Sequence, residues 1–268
     1  MLPPPPIRGA FRTDARARAA YAEGAGIFRI VPAAAAVPCD REDVASLAHW
    51  ASAHRVALVP RGAGSGMGGG NVGDGVVVDL TALPRRLVVD GPSRRARAGA
   101  SVTLAELNVA ADAAGLRLPP DPSSGRWATL GGMLSTNAAG ARTVRYGSVR
   151  RWVEAVELVT ADGEITELRR GAPPSPRVRA VTRFEAEAGP AIRAAAELIR
   201  SRFPRTRKNA SGYALDAWLD SGDLLDLVVG GEGTLGLVTA AEWRLDPIPA
   251  ARAGLRVRLH SLDGLGDA

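Results

Sequence analysis

The stretch that decides the fold is VALVPRGAGSGMGGGNVGDGVVVDL, residues 56–80. It predicts a buried strand at Val56–Val59, a glycine-rich loop at Arg61–Asn71 and a second strand at Val76–Leu80. Six glycines in this loop cost backbone entropy on folding, so we expect a ligand that needs the backbone close to it. Successive N–H groups of such a loop form a concave nest for phosphate oxygens.

Two better-known phosphate loops do not fit this stretch. Gly64, Gly66 and Gly69 satisfy G-x-G-x-x-G after a strand, but that fingerprint requires a helix to begin at the last glycine. Residues 71–75 instead have turn chemistry and lead into a β-branched run. A Walker loop fails because no Lys-Ser or Lys-Thr pair closes the glycines. A strand–loop–strand cradle remains, with Ser65 as an added hydroxyl donor, against the alternative of a ligand-free glycine hairpin.

Composition predicts a globular protein and argues against a nucleic-acid partner. The 268 residues are 46% hydrophobic and 23% charged, which suits one large or two smaller domains. The net charge of +6 could suggest nucleic acid. However, Lys208 is the only lysine among 34 basic residues, the arginines are spread along the chain, and aromatics at 4% offer few platforms for stacking bases.

Cysteine, histidine and the N-terminus set further expectations. Cys39 is the only cysteine, so we expect no intramolecular disulfide. His49, His54 and His260 lack the spacing of metal ligands, so no metal site is predicted. The start MLPPPPIRGAF lacks a signal-peptide apolar region, and no run approaches the roughly 18 apolar residues of a membrane span. A cytoplasmic location, or one peripheral to the inner membrane, is expected.

The order of predicted elements divides the chain into four parts. They are an N-terminal arm (1–35), a first lobe (36–97), a second lobe (98–249) and residues 250–268. The predicted helices cover 14–21, 41–54, 190–203 and a segment capped by Ser101 or Thr103. Strands are predicted at 87–89, in a hairpin of 153–160 and 165–168, at 224–229 as a buried strand and at 255–260 as a half-buried strand. Extended segments are predicted at 28–31 and 237–245.

Two further stretches have the composition of a ligand site. Residues 128–140, ATLGGMLSTNAAG, combine small side chains that permit close backbone approach with short donors and acceptors. The alternative for this stretch is a small-residue helix packed tightly on a sheet. Residues 230–239, GGEGTLGLVT, form a second glycine-rich turn that is predicted to lie between strands.

Four stretches in one order carry a family resemblance: PRGAGSGMGGG, PPDPSSGRWATLGGMLSTNAAG, RYGSVR, and KNASGYAL followed by GGEGTLGLVT. Together they resemble the FAD-binding domain of the vanillyl-alcohol-oxidase-type (PCMH-type) flavoproteins, in the branch that oxidises D-2-hydroxy acids. The resemblance covers about residues 14–249. It implies an α+β fold with two lobes, each a small sheet with flanking helices. It also implies non-covalent FAD, since no histidine occurs between His54 and His260.

The resemblance implies a set of cofactor-binding residues. One loop would cradle the pyrophosphate, a second stretch would line the flavin and its ribityl chain, and the last would hold the other side of the cofactor. These residues are Arg61, Gly62, Ala63, Gly64, Ser65 and Gly66; Pro122, Ser123, Ser124, Thr129, Gly132, Thr136, Asn137 and Gly140; Tyr146 and Gly147; and Glu232, Leu237 and Val238. Gly231 departs from the family, which usually has serine there.

The implied activity is hydride transfer from a D-2-hydroxy acid of the lactate, glycolate or 2-hydroxyglutarate class to flavin N5. A quinone, cytochrome or iron–sulfur module would accept the electrons. The family's cap domain supplies the catalytic base; residues 250–268 would only begin such a domain, so no catalytic residue is predicted, and His260 is expected to be solvated. The alternatives are a non-catalytic FAD-binding subunit completed by a partner chain and a UDP-N-acetylenolpyruvoylglucosamine reductase.

Overall fold

The computed structural model describes residues 3–206, 208–259, 261, 263, 265 and 266. The strands of the described residues are β1 (Ala10–Arg12), β2 (Ala34–Val37), β3 (Leu58–Arg61), β4 (Val76–Asp79), β5 (Leu87–Asp90), β6 (Arg95–Gly99), β7 (Leu116–Arg117), β8 (Val153–Val159), β9 (Ile165–Arg169), β10 (Leu237–Arg244) and β11 (Asp246–Pro247). The α-helices are α1 (Ala15–Ala20), α2 (Arg41–His54), α3 (Leu104–Asp112), α4 (Leu130–Ser135), α5 (Thr143–Tyr146), α6 (Arg179–Arg183), α7 (Gly189–Ala194), α8 (Ala196–Arg202), α9 (Leu215–Ser221) and α10 (Leu224–Val228).

The first lobe is built on a four-stranded sheet in the order β1-β2-β4-β3. Its centre is β4, where Val77 and Val78 are fully buried. Helix α2 packs on the sheet through Val44 and Leu47, and it has the predicted bounds. Asp40 caps it by accepting the N–H of Asp43 at 2.9 Å. Burying this apolar face stabilises the lobe, because hydrophobic area is removed from water on both elements.

The pairing of β3 with β4 is parallel, which excludes a glycine hairpin. The predicted strand at Val56–Val59 begins later, at Leu58, and continues to Arg61. Parallel neighbours require a crossover, and here the crossover is the glycine-rich segment itself, without a helix. The segment must therefore pass over one end of the sheet, which leaves its backbone at the surface of the lobe.

The second lobe is built on a five-stranded antiparallel sheet in the order β5-β6-β10-β8-β9. The predicted hairpin is present as β8 and β9, and Thr103 caps α3 in a complete capping box with Glu106. The lobe's core contains Trp243, which is fully buried. Because β5 and β6 pair in this sheet, the predicted lobe boundary after Arg97 falls inside β6. We propose a boundary between 82 and 87 instead.

Three other predicted elements differ from the structure. The predicted strand at 224–229 is wrong: the run forms helix α10, because a short apolar run does not distinguish strand from helix. The helix predicted at 190–203 is broken at Ala195 into α7 and α8. Residues 255–259 are exposed and have no regular secondary structure, so the half-buried strand predicted there is wrong; His260 lies outside the described residues.

The α+β, two-lobed fold expected from the resemblance is confirmed by these two sheets and their flanking helices. Within the described residues, no helix has both the length and the apolar content that a membrane crossing requires.

Candidate cofactor cleft

A cleft of about 250 Å³ lies where the two lobes meet. The first lobe contributes the glycine-rich segment after β3, and the second contributes α4 with its flanks and the glycine-rich turn before β10. Thirteen of the predicted cofactor residues line it: Arg61, Gly62, Ala63, Gly64, Ser65, Gly66, Pro122, Ser124, Thr129, Gly132, Thr136, Glu232 and Val238. The structure therefore brings together stretches as distant in the chain as Arg61 and Val238.

The first wall of the cleft is a segment with unused backbone donors. The N–H groups of Ala63, Gly64, Ser65 and Gly66 have no acceptor anywhere in the described part of the chain. Gly64 has a φ of 71°, a left-handed conformation that favours glycine. Four successive free N–H groups beside a cavity form the nest predicted for phosphate oxygens.

The guanidinium of Arg61 is held beside this segment by contacts with Tyr21 and Asn71. Its guanidinium lies 5.6 Å from the centre of the Tyr21 ring, and Nη1 donates to the Asn71 carbonyl at 3.3 Å. Tyr21 in turn donates to Asp79 at 2.7 Å, and burial together with this carboxylate raises the pKa of Tyr21 to about 12. Tyr21 therefore remains a neutral donor at physiological pH, and the positive charge of Arg61 lies next to the nest.

The second wall is α4, which approaches the first lobe closely. Thr129 caps the helix and lies 4% exposed. A Cβ on Gly62 would lie 2.3 Å from Thr129 Oγ1, so only glycine fits where the lobes touch. A Cβ on Gly131 would likewise lie 2.7 Å from the Ala100 Cβ, so α4 packs directly on the end of β6. Small residues in this stretch therefore create close contact, as both predicted interpretations required.

The third wall is the turn before β10, which is held by α4. The N–H groups of Gly230 and Glu232 donate to the carbonyls of Leu134 and Ser135 at 3.0 and 2.9 Å. Both carbonyls end a helix; that of Leu134 also accepts the N–H of Asn137 at 3.1 Å. Glu232 has a φ of 49°, which a non-glycine residue keeps only where its surroundings hold it. Its Oε2 would lie 3.0 Å from a Cβ on Gly70, so it reaches across to the first lobe.

The electrostatics of the cleft come from very few charges. Arg61 and Glu232 are the charged residues among the described lining, and neither forms an ion pair with another described residue. The remaining lining consists of backbone, small side chains and hydroxyl groups. Such a site binds a ligand mainly through peptide donors, which suits a diphosphate joined to a flat ring.

Six predicted residues lie outside the lining of the cleft: Ser123, Asn137, Gly140, Tyr146, Gly147 and Leu237. Ser123 is exposed in its loop. Leu237 is 5% exposed and packs in the core of the first lobe. A Cβ on Gly140 would lie 1.9 Å from the Asp121 carbonyl, so this glycine serves loop packing.

Asn137 and Tyr146 are buried and do not line the cleft. Asn137 is 2% exposed and accepts the N–H of Arg150 at 3.1 Å. The Tyr146 hydroxyl accepts from Arg117 Nη2 at 2.7 Å, with the ring in the second core. Gly147 follows with a φ of 67°. All three residues lie in the stretches that carry the family resemblance, but none of them lines the cleft.

Sequence reasoning also missed lining residues. Most of them interleave with predicted ones and are signalled by the same stretches: Pro60, Gly68, Gly70, Asn71, Ala128, Gly131, Met133, Ser135, Ala138, Ala139, Gly233 and Gly236. Leu80 and Ala100 also line the cleft. They come from the end of β4 and the end of β6, and nothing in their local sequence indicates a ligand.

Known proteins resemble this chain in sequence and in fold. The family described as "FAD binding domain" matches residues 32–169. The D-2-hydroxyglutarate dehydrogenase of Pseudomonas putida is 32% identical over 278 residues, which cover 98% of this chain and 27% of that protein. The D-lactate dehydrogenase of Archaeoglobus fulgidus is 34% identical over 212 residues, which cover 78% of this chain and 38% of that protein.

A solved structure, of an alkyldihydroxyacetonephosphate synthase, superposes with a TM-score of 0.63 at 22% identity. It covers 90% of this chain and 41% of the synthase, and it shows a shared fold. This chain thus spans between about a quarter and two fifths of the length of these three proteins.

The free amides of the nest and the small residues around it fit FAD, and the matched family covers more than half of the chain. The residues matched include the glycine-rich segment and α4, which form two of the three walls. The chain therefore belongs to the family of FAD binding domains.

Proposed function

We propose that this chain is the FAD-binding part of an oxidoreductase that oxidises a D-2-hydroxy acid of the lactate, glycolate or 2-hydroxyglutarate class. One observation carries the proposal: relatives named D-2-hydroxyglutarate and D-lactate dehydrogenase align over 98% and 78% of this chain. When bound, FAD supplies a two-electron acceptor at N5. The C2 hydrogen of the acid leaves as hydride, its hydroxyl proton goes to a base, and a 2-oxo acid forms.

The roles proposed for this chain's own residues follow from the cleft. The amides of residues 63–66, with Arg61 behind them, bind the pyrophosphate. Thr129, Thr136 and the backbone of α4 would hold the flavin part of the cofactor from the second wall, and Glu232 with Val238 would hold it from the third. We also propose that the electrons pass to a quinone, cytochrome or iron–sulfur module, and that the enzyme acts in the cytoplasm or at the inner membrane.

A second candidate function is an FAD-binding subunit whose catalysis is completed by a partner chain. It is favoured by the lining of the cleft, which contains no histidine, lysine or tyrosine among the described residues. Glu232 is therefore the one side chain of the described lining that could act as a general base toward the hydroxyl proton of the substrate, and it has been assigned above to the cofactor. In this second case the partner would supply that base together with the groups that bind the substrate carboxylate.

One experiment tests both functions. The chain is saturated with FAD, then mixed without oxygen with D-lactate, glycolate or D-2-hydroxyglutarate, and flavin absorbance is followed. Bleaching by one D-acid, with the L-isomers of lactate and 2-hydroxyglutarate as controls, supports the enzyme. Retained flavin without bleaching by any acid would show that oxidation needs groups outside these 268 residues, which the second function requires and the first allows. A chain that binds no FAD on titration contradicts both.

A further inference from the structure

We propose that Arg150 is a positioning residue for the cofactor: without lining the cleft, its guanidinium holds residues 229–233 in the shape that presents Glu232 and Gly233 to FAD. The inference rests on the cofactor cleft of the proposed function, although not on the choice of substrate. It assigns a role to an arginine of the RYGSVR stretch for which the cofactor lining has no use.

The first step is the contact of Arg150 with the end of α10. Its Nη2 donates to the Val229 carbonyl at 2.7 Å, and its Nη1 donates to the Asp226 carbonyl. Carbonyls at the end of a helix have no partner within the helix, so a cation placed there stabilises the end of α10. Burial lowers the pKa of Arg150, and the Asp226 carboxylate opposes that effect, so the charge is retained beside these carbonyls.

The second step is the packing of the turn between Arg150 and Asn137. The backbone N–H of Arg150 donates to Asn137 Oδ1 at 3.1 Å. Gly230 has a φ of 89°, and a Cβ there would lie 3.2 Å from Arg150 Nη2 and 3.2 Å from the Asn137 Cβ. Gly230, which follows α10, therefore lies between the side chains of Arg150 and Asn137.

The third step connects the turn to the cleft. Just beyond Gly230, the Glu232 N–H is bound to the Ser135 carbonyl at 2.9 Å, and Glu232 has a φ of 49°. A residue in that conformation requires neighbours that hold it. Arg150 fixes the N-terminal side of the turn, and α4 fixes its middle. Without Arg150, the Val229 carbonyl loses its guanidinium donor, only the N–H groups of Val229 and Gly230 remain bound, and Glu232 loses its fixed direction.

Arg170 provides a matched control. It binds the same Asp226 through the carboxylate, with Nη2 3.1 Å from Oδ1 and Nη1 3.2 Å from Oδ2. It also donates to the Arg150 carbonyl at 3.3 Å, but it has no hydrogen bond to residues 229–233 among those described. Removing Arg170 leaves a buried carboxylate unpaired, which destabilises the lobe, while both guanidinium contacts of Arg150 remain.

The test compares FAD affinity with stability in Arg150→Gln, Arg150→Lys and Arg170→Gln. FAD dissociation constants are measured by flavin fluorescence, and unfolding of the FAD-free protein is measured by circular dichroism. We expect at least tenfold weaker FAD binding in R150Q and an intermediate value in R150K, which retains one donor group. R170Q should unfold at least as readily as R150Q yet bind FAD within threefold of the wild type. If R150Q does not fold, R150K against R170Q makes the same comparison.

A double-mutant cycle with Glu232→Gln tests whether Arg150 acts through the turn. We expect the R150Q/E232Q protein to bind FAD no more than threefold more weakly than the worse single variant. Fully additive losses, or wild-type FAD affinity in R150Q and R150K, would overturn the inference while leaving the cleft assignment intact. Failure of the wild type to bind FAD would overturn the cleft itself, and the positioning role with it.

Discussion

Two glycine-rich segments form opposite sides of the cleft, and they use glycine for different reasons. In the first, residues 62–70, four successive amides have no acceptor among the described residues. In the second, residues 230–236, the amides of Gly230 and Glu232 are bound to α4, and a Cβ on Gly233 would lie 2.2 Å from the Pro60 Cγ. The first segment leaves donors free for a ligand, whereas the second makes close packing possible. Glycine content alone does not distinguish these functions.

The largest expected effect comes from adding a methyl group to the packed segment. Gly233→Ala places a Cβ at a φ of 82° and against Pro60, and the combined strain and overpacking should cost about 3 kcal/mol of unfolding free energy. Gly68→Ala is the control in the open segment, because nothing lies within 4 Å of its added Cβ, and it should change stability by less than about 0.5 kcal/mol. Urea unfolding of both variants measures the difference; equal losses would contradict the comparison.

The next effect concerns the ligand of the open segment. If its free amides bind a diphosphate, then ADP should compete with FAD. Riboflavin, which lacks both phosphates, should bind at least about 100-fold more weakly than FAD, because hydrogen bonds to charged groups contribute about 1.5–3 kcal/mol each. Competition titrations followed by flavin fluorescence measure this. Riboflavin and FAD of equal affinity would show that the open segment does not hold the pyrophosphate.

A smaller effect is expected at Gly62, where the open segment packs against the second lobe. Gly62→Ala would bring a Cβ within 2.3 Å of Thr129 Oγ1, and overpacking of this kind costs about 1–3 kcal/mol. The lobes should separate slightly, so FAD should bind about tenfold more weakly, which corresponds to a loss of about 1.4 kcal/mol of binding free energy. Adding Thr129→Gly removes the clashing oxygen and keeps a residue tolerated at a helix cap, so thermal stability should recover. If thermal stability does not recover, the contact with Thr129 is not the cause of the loss.

The smallest effects compare one hydroxyl from each segment. The Ser65 hydroxyl has no hydrogen bond to another described residue, whereas Thr234 Oγ1 donates to the Gly231 carbonyl at 2.5 Å and lies 2.6 Å from the Tyr213 hydroxyl. Ser65→Ala should therefore weaken FAD binding by about three- to tenfold, since a hydrogen bond contributes about 0.5–1.5 kcal/mol, without changing the unfolding temperature. Thr234→Val should lower the unfolding temperature and leave FAD affinity nearly unchanged. If S65A lowered the unfolding temperature and T234V weakened FAD binding, the second segment would be the one that binds the ligand and the first the one that packs.

The sequence predicted the elements whose signals are local. Helix α2 has the predicted bounds because Asp40 supplies a cap and Val44 and Leu47 follow at helical spacing. The hairpin of β8 and β9 follows from alternation and an Asp-Gly turn. Within the cleft, the open segment was predicted from its glycine density, and the structure places it in the lining. Its free amides are backbone groups, which require no particular side-chain direction.

What the sequence could not provide was the direction in which a residue faces. Asn137 and Tyr146 stand in the predicted stretches but are buried under the cleft, where they hold Arg150 and Arg117. The run 224–229 forms a helix in a setting where Arg150 binds the Val229 carbonyl from 79 residues away. No local window contains that partner.

By itself, the sequence predicted a phosphate nest in the first glycine-rich segment and close backbone approach in residues 128–140, because backbone freedom and side-chain size are properties of each residue; FAD entered through the family resemblance. Only the tertiary structure decided that β3 and β4 run parallel, and that one glycine segment is open and the other locked. These features depend on contacts between distant parts of the chain. The parallel pairing forms as the first lobe buries its own core, and the contacts of the two glycine segments form where the lobes meet.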